Sequence, residues 1–456
     1  MESLRELLFK NAHESANRCV QCGYCLPVCP TYLSMGKESA SPRGRINLVR
    51  LAAEGKIEIG EHLAQPLDLC LGCRACEAAC PVNVPYGSIL EAAKETITMH
   101  QQSAAKQDKW AEDKFSRKVT ALVLRHLFPY PRRLRLAGSG MWLYQRMRLG
   151  KLVRASKFFG KRFAPLMAFE KVIPAVESPL GRYRWGKVFP AKGKRKARVA
   201  FFAGCVMDAL MSRINRQTIE LLTLAGLEVV VPKGQTCCGA LHAHQGYTGQ
   251  AKELARKNIE AFEATVADYY VSNAGGCGAM LKEYAHLLRE DPDLRRRAEA
   301  FAAKSKDVSQ LLVEFGPLPY VKPVEAVVTY QDSCHLRNVQ GVWKEPRQLI
   351  QSVPGVTFAE MEQSHLCCAS GGIYNLLHFQ ESMQILDDKM DKAKKTKASI
   401  IVTTNPGCML QMKAGVERAG MAGEAAAVHL VELLAEACGI GQSASSEGKR
   451  RDEASV

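Results

Sequence analysis

Thr236-Cys237-Cys238-Gly239-Ala240 is answered 130 residues later by Leu366-Cys367-Cys368-Ala369, and this echo of a paired cysteine decides how the C-terminal half of the chain folds. Working outward, Cys205 recurs as Cys334 and Cys277 as Cys408, offsets of 129 and 131, so one unit is written twice. In each copy an apolar β-rich run (198–203; 326–330) ends at the first Cys, a helix follows, and a second short strand (228–231; 356–358) precedes the Cys pair. A longer helix (251–266; 381–394) then leads to a third strand (269–272; 399–403) that ends near the last Cys. Strand alternating with helix predicts a parallel α/β sheet, whose ligands gather at the carboxyl ends of the strands, and the thiols fall at those ends.

The first hundred residues carry a different pattern. Cys19-x2-Cys22-x2-Cys25-x3-Cys29-Pro30 is repeated as Cys70-x2-Cys73-x2-Cys76-x3-Cys80-Pro81. This is the bacterial ferredoxin spacing, in which three thiolates of a tight loop wrap one iron-sulfur cubane and the fourth ligates the other cluster. It assigns Cys19, Cys22, Cys25 and Cys80 to one [4Fe-4S] cluster, and Cys29, Cys70, Cys73 and Cys76 to a second. Structural zinc sites pair two Cys-x2-Cys knuckles and require neither a third Cys at the same gap nor the trailing x3-Cys-Pro. Two clusters in one small domain make a relay for single electrons.

Composition bounds the rest. The 456 residues, 47% hydrophobic and 24% charged, suit about three globular domains and exclude wholesale disorder. No apolar run approaches the roughly eighteen residues of a membrane span, and Met1-Glu2-Ser3-Leu4-Arg5-Glu6 has no signal-peptide core. The expected location is the cytoplasm, or peripherally the cytoplasmic membrane face. Seventeen cysteines in that reducing compartment point to metal ligation or thiol chemistry instead of disulfides.

The formal charge of +16 is confined to one stretch: residues 106–198 hold 25 basic and 5 acidic side chains, and the remainder of the chain is net −4. The stretch is also rich in aromatics, with Trp110, Trp142, Trp185, Tyr130, Tyr144, Phe158, Phe159 and Phe163. On a helical wheel Trp142, Leu149, Leu152 and Val153 oppose Arg148, Lys151, Arg154 and Lys157, although Leu143 and Met147 spoil the pattern. Such a face binds an anionic membrane or a partner, and its plainer reading is a linker with solvated Lys and Arg. A zinc-dependent nucleic-acid-binding or scaffold protein is a further reading, but basic charge with aromatics is a weak nucleic-acid signal and no recognition module accompanies it.

The predicted architecture is therefore α plus α/β: a helical di-cluster ferredoxin-like domain (1–100), a basic, mostly helical connector (101–195), two tandem α/β cysteine-rich repeats (196–320 and 321–440) and a disordered tail (441–456). A short helix is predicted at 45–53, after Ser41-Pro42-Arg43-Gly44.

The paired-Cys repeat, with Gly275-Gly276-Cys277-Gly278-Ala279, resembles the cysteine-rich domain shared by heterodisulfide reductase, the third subunit of anaerobic glycerol-3-phosphate dehydrogenase, lactate-utilisation proteins and glycolate oxidase. Within that group, Cys19-Val20-Gln21-Cys22-Gly23-Tyr24-Cys25 and Ser41-Pro42-Arg43-Gly44-Arg45 resemble the glycolate oxidase iron-sulfur subunit family. So do Gly276-Cys277-Gly278-Ala279-Met280-Leu281-Lys282-Glu283-Tyr284 and Ser364-His365-Leu366-Cys367-Cys368. The resemblance covers residues 15–435. Two departures stand out. The reductase motif ends Cys-x2-Cys, which Cys277 and Cys408 lack, and Ala369 stands where Gly is expected. Four thiolates, Cys205, Cys237, Cys238 and Cys277 or Cys334, Cys367, Cys368 and Cys408, suffice for a further iron-sulfur cluster or a zinc ion. His335 beside Cys334, and His242, His244 and His365 beside the Cys pairs, are additional candidate ligands whose commoner reading is a hydrogen-bonded loop histidine, and Cys438 reads as a small buried apolar residue.

The resemblance implies an iron-sulfur electron-transfer subunit that works with FAD-binding glycolate oxidase subunits and relays electrons from glycolate oxidation to a quinone or other respiratory acceptor. Lactate and glycerol 3-phosphate are alternative donors, and a heterodisulfide-reductase-like enzyme is an alternative role. No G-x-G-x-x-G follows a candidate strand and no catalytic residue is singled out, so the chain is expected to be inactive alone.

Overall fold

In the computed structural model, which describes residues 2–103, 114–150 and 170–441, the apolar runs of the two repeats become strands, mostly buried apart from Val356–Phe358 at a sheet edge. The first sheet comprises β1 (Val188–Phe189), β2 (Ala197–Phe202), β3 (Leu227–Val230), β4 (Tyr269–Ser272) and β5 (Ser305–Asp307), in the order β1-β3-β2-β4-β5. All neighbours are parallel except β1, which pairs antiparallel with β3. The second sheet, β6 (Ala326–Tyr330), β7 (Val356–Phe358), β8 (Ile400–Thr403) and β9 (Ala426–His429), has the order β7-β6-β8-β9 and is wholly parallel.

Both copies thus share one winding, and its direction reverses between β2 and β4 and between β6 and β8. Ligands of open α/β sheets bind at such a switch point. Cys205 and Cys277 follow β2 and β4, Cys334 and Cys408 follow β6 and β8, and each Cys pair follows β3 or β7.

Strands β4, β6 and β7 have the predicted bounds, and β2, β3 and β8 are displaced by one residue. The fourth strand of each copy, and β1, carry no sequence signal. Ser305–Asp307 has no apolar residue, and Ala426–His429 is too short and mixed to show a period. The long helices run Thr248–Glu263, three residues before the expected bounds at both ends, and Phe379–Lys395, which starts two residues early and ends one late.

The two sheets share one core, to which Val199, Phe201 and Val271 of the first and Val328, Tyr330 and Val402 of the second all belong. Burying each such large side chain contributes about 1.5–3 kcal/mol. Helix Ser212–Leu224 packs on helix Leu430–Ala437 across this seam. Gly275 N donates to Thr404 O at 3.0 Å, and His429 Nε2 lies 2.9 Å from Asn273 O.

In the N-terminal domain, the helix expected at 45–53 begins earlier and spans Pro42–Ala53. Pro42 occupies its first position, where a missing N–H costs nothing, and Ser41 Oγ caps it by accepting from Gly44 N at 3.0 Å. Residue 44 must be glycine, since a Cβ there would stand 2.1 Å from Glu38 O. The helix buries Ile46, Val49, Ala52 and Ala53, and with them Arg45.

This domain sits on the cysteine-bearing ends of both repeats. Helix Pro30–Met35 packs on Phe379–Lys395, Ala75–Ala78 on Cys334–Asn338, and Tyr86–Ser103 on Ala240–His244. Asn338 Nδ2 donates to Cys73 O at 2.8 Å, Thr98 Oγ1 to Gln245 O at 3.0 Å, and Arg74 pairs with both Glu77 and Glu283.

The connector contributes helices Lys114–His126 and Pro131–Arg146. Its Arg135 is not a solvated charge: it makes a two-pronged bond to the buried carboxylate of Asp208, at 2.7 and 2.9 Å. Tyr183 and Trp185 donate to the same carboxylate. The helical wheel drawn through Trp142 and Val153 is corrected, because the helix ends at Arg146 and Arg148 is left-handed (φ 53°). Trp110, residues 151–169, which include Lys151, Leu152, Val153, Arg154, Lys157, Phe158, Phe159 and Phe163, and the tail from 442 lie outside the described residues. Among the described residues no helix is long and apolar enough to cross a membrane.

The Gly-to-Ala departure in the second copy has a backbone reason to matter. Gly239 has φ +90°, and its counterpart Ala369 adopts the same left-handed region at φ 65°. A Cβ at 239 meets only ordinary van der Waals contacts. Gly239→Ala is therefore expected to cost only the left-handed penalty, about 1–2 kcal/mol, and to leave the fold intact. A denaturant midpoint unchanged, or a chain that no longer folds, would contradict that.

Candidate metal centres

The sixteen motif cysteines gather into two regions, made by loops and by the first turns of helices, where Cys76, Cys205, Cys277, Cys334 and Cys408 lie. In the N-terminal domain one cavity is lined by Cys19, Cys22, Cys25, Cys76 and Cys80, and a second by Cys29, Cys70, Cys73 and Cys76. Cys29 has left its own run for the second cavity and Cys80 has left its run for the first, with Cys76 on the wall of both. Among the described residues no three His, Cys, Asp or Glu side chains converge closely enough to hold a single metal ion. Here the thiols stand around cavities.

The surroundings of the two cavities differ. Cys22 is exposed and Cys19, Cys25 and Cys80 are half-buried, whereas Cys29 and Cys76 are buried. Burial pushes the Cys25, Cys29 and Cys76 thiols up, Cys76 most strongly, with Arg45 opposing the rise at Cys29. Sulfur accepts from Gly72 N (3.4 Å) and Tyr86 Oη (3.3 Å) at Cys70, and from Val84 N (3.4 Å) at Cys80. Thr31 Oγ1 lies 3.3 Å from Cys29 Sγ.

Arg45 forms part of the second cavity's wall and is 1% exposed. Its Nε donates to Pro66 O at 2.7 Å and its Nη1 to Thr31 Oγ1 at 3.1 Å, while Nη2 has no hydrogen-bond partner among the described residues. Burial disfavours its charge, yet Cys70, Tyr86 and Cys29 together raise its pKa. A cavity of four thiols with a buried cation in its wall and a spare N–H donor fits an anionic thiolate-ligated cluster.

In the first repeat Cys237 Sγ and Cys205 Sγ are 3.7 Å apart. Its neighbours Cys237 and Cys277 draw the Cys238 thiol well down against burial. Cys237 is pushed well up by Cys205, Cys238 and burial, and Cys277 by Cys238 and burial. The second repeat copies this: Cys368 is drawn well down by Cys367 and Cys408, and Cys408 is pushed up. Cys334 is lowered to about 5 by Cys367, against burial and with help from His335, whose Nδ1 is 3.5 Å from Cys334 Sγ.

The second set has a further member. Cys73 and Cys334 both pack against the buried cluster that holds Cys367, and Cys367 draws the Cys73 thiol down. A predicted ligand of the N-terminal domain thus touches the thiols of the second repeat, a contact the sequence does not signal.

Of the four histidines considered, only His335 is at a thiol, with His244 packed against its ring at 5.5 Å between centroids. His242 Nε2 bonds Leu124 O at 2.8 Å, and burial holds the pKa of His242, His244 and His365 down, His244 to about 3. Cys438 is half-buried against the shared core instead of fully enclosed, and burial pushes its thiol up to about 11.

Sequence reading missed Arg45 and Lys389, both fully buried beside thiols. Lys389 carried a signal: it shares a helix face with Ser382, Leu386, Met390 and Ala393, all buried. Its Nζ donates to Gln363 O at 2.7 Å, and burial lowers its pKa to about 8 while the Cys368 and Cys367 thiolates resist the fall.

Comparison with known proteins agrees with this layout. Residues 15–84 match a 4Fe-4S dicluster domain, 114–173 the linker region of the glycolate oxidase iron-sulfur subunit, and 199–282 and 328–413 the cysteine-rich domain. The chain is 47% identical over 424 residues to the "probable glycolate oxidase iron-sulfur subunit" of Bacillus subtilis, covering 92% of this chain and 94% of that one. It is 29% identical over 433 residues to the glycolate oxidase iron-sulfur subunit of Escherichia coli, covering 92% and 93%. "Lactate utilization protein A" of Oceanobacillus iheyensis is 34% identical over 238 residues, 52% of this chain and 96% of that one. With its dicluster domain, linker and paired cysteine-rich repeats in this order, the chain belongs to the glycolate oxidase iron-sulfur subunit family, the iron-sulfur electron-transfer subunits of an oxidoreductase complex.

Proposed function

We propose that the chain serves a complex that oxidises glycolate. Glycolate gives two electrons and two protons to FAD on partner subunits and leaves as glyoxylate, and the electrons continue to a quinone or another respiratory acceptor. Iron-sulfur clusters, when bound, supply the one-electron chemistry that such a relay needs.

The chain's own residues prepare the sites. Cys19, Cys22, Cys25 and Cys80 hold one [4Fe-4S] cluster, and Cys29, Cys70, Cys73 and Cys76 hold the other. Tyr86 Oη and Gly72 N orient the Cys70 sulfur, and Arg45 balances the thiolate charge of the second set. Cys73 brings this set against Cys367. Each repeat's four thiols hold a further centre, iron-sulfur in this reading; a zinc ion, which four thiolates also suit, would need them to converge on one point, and among the described residues no three do. The single observation that carries the reading is the exchange of Cys29 and Cys80 between the two cavities. The +20 excess of residues 106–198 supports peripheral docking on an anionic cytoplasmic membrane face or on the flavoprotein.

Anaerobic iron, zinc and acid-labile sulfide analysis with low-temperature electron paramagnetic resonance tests the sites. Iron and sulfide for at least two cubanes are expected, and stoichiometric zinc without sulfide would sink the reading. Dye reduction by glycolate is expected only when flavoprotein subunits are added, and turnover by this chain alone would refute its relay role. Lactate, the donor suggested by the half-length relatives, is expected to be the poorer substrate in the same assay. Recovery with anionic vesicles should fall as salt rises if the connector docks there.

A further inference from the structure

The two repeats present the same four thiols on the same winding, so differences beneath the thiols stand out. Val266 and Lys397, both left-handed at φ 50° and 54°, are 131 residues apart, as are Cys277 and Cys408. This register places Asn258 of the first copy opposite Lys389 of the second, on the long helix that underlies each Cys pair.

Asn258 is fully buried and neutral. Its Nδ2 donates to Cys237 O (3.0 Å) and Tyr284 Oη (2.9 Å), and its Oδ1 accepts from Thr236 N (2.7 Å). Tyr284 Oη in turn donates to Cys238 O at 2.9 Å, so a neutral network supports the first pair. Lys389 is 2% exposed and makes one bond, to Gln363 O. The nearby buried carboxylate, Asp332, is already held by Arg337 at 3.0 Å and Arg347 at 2.9 Å, so it does not neutralise the ammonium. His335, beside Cys334, is the other basic group on this set. In a low-dielectric site a fixed cation stabilises the more negative, reduced state of a thiolate-ligated centre and raises its potential.

We infer that Lys389 is a charge-setting residue that makes the second repeat's centre the more easily reduced of the two, at the repeat whose thiols Cys73 touches. The inference rests on the reading that both C-terminal thiol sets hold redox-active iron-sulfur centres. Asn258 leaves the first centre at lower potential, so electrons held by the repeats settle in the second.

The test is a redox titration of the full-length, anaerobically reconstituted chain, followed by electron paramagnetic resonance and paired with iron and sulfide analysis. Lys389→Gln is expected to lower the midpoint of one C-terminal signal, by a tenfold or greater change in the oxidised-to-reduced ratio, about 59 mV for one electron. Lys389→Arg should keep the high midpoint. Should Lys389→Gln fail to fold, Asn258→Lys tests the same claim from the other side and should raise the midpoint of the other C-terminal signal. Unmoved midpoints with full iron content, or equal midpoints for the two repeats in the unaltered chain, overturn this inference alone. Iron and sulfide sufficient only for the N-terminal pair overturn both it and the reading beneath it.

Discussion

Cys29→Ser and Cys80→Ser are expected to remove different clusters, and each the one that its own run does not supply. Cys29 caps helix Pro30–Met35 from outside, and there its sulfur joins Cys70, Cys73 and Cys76. Cys80 joins Cys19, Cys22 and Cys25. Each variant should lose one of the two N-terminal resonance signals with its iron. The survivors can be told apart by access. The cluster that remains in Cys29→Ser lies beside exposed Cys22 and should bleach quickly under a soluble iron chelator. The one that remains in Cys80→Ser includes buried Cys29 and Cys76 and should bleach slowly. Reversed rates would mean that each run closes its own cluster, and the crossed ligand sets would be wrong.

Arg45→Met should affect the same cluster as Cys29→Ser. The side chain is fully enclosed and faces thiolates, and the other arginine of that wall, Arg74, is already paired with Glu77 and Glu283. Removing one partner from a buried charged group typically costs about 3–5 kcal/mol. Removing a group that supports metal ligands typically costs about 10–100-fold in metal affinity or activity. The expected result is a lowered denaturation midpoint and faster chelator bleaching of the Cys29, Cys70, Cys73 and Cys76 cluster, with the other little changed. Arg45→Lys keeps the charge but cannot reach Pro66 O and Thr31 Oγ1 from one planar group, so it should fall between. Wild-type iron content and stability in Arg45→Met would show that the cation is incidental.

The glycine and proline around Arg45 were readable as a motif, but the burial of Arg45 was not. Ser41-Pro42-Arg43-Gly44 looks like a break in the chain, and Pro42 is instead the first residue of the helix that inserts Arg45 among the thiols. The connector shows the same limit. Its basic excess is plain in the composition, but Arg135 finds its carboxylate 73 residues away, on the helix that begins at Cys205. The strands that carried an apolar signal, such as β4 and β6, were found, and Ser305–Asp307, whose pairing comes from its neighbour and not from its own residues, was not.

The sequence by itself determined the number and kind of modules and which cysteines belong to each, because ligand spacing and strand periodicity are local properties of the chain. Only the tertiary structure decided that Cys73 faces Cys367, that Arg45 and Lys389 are shut away beside thiols, and that the two repeats share one core. Those relations arise where segments hundreds of residues apart are pressed together to bury apolar surface. Burial, not spacing, then sets the charge that each thiol experiences.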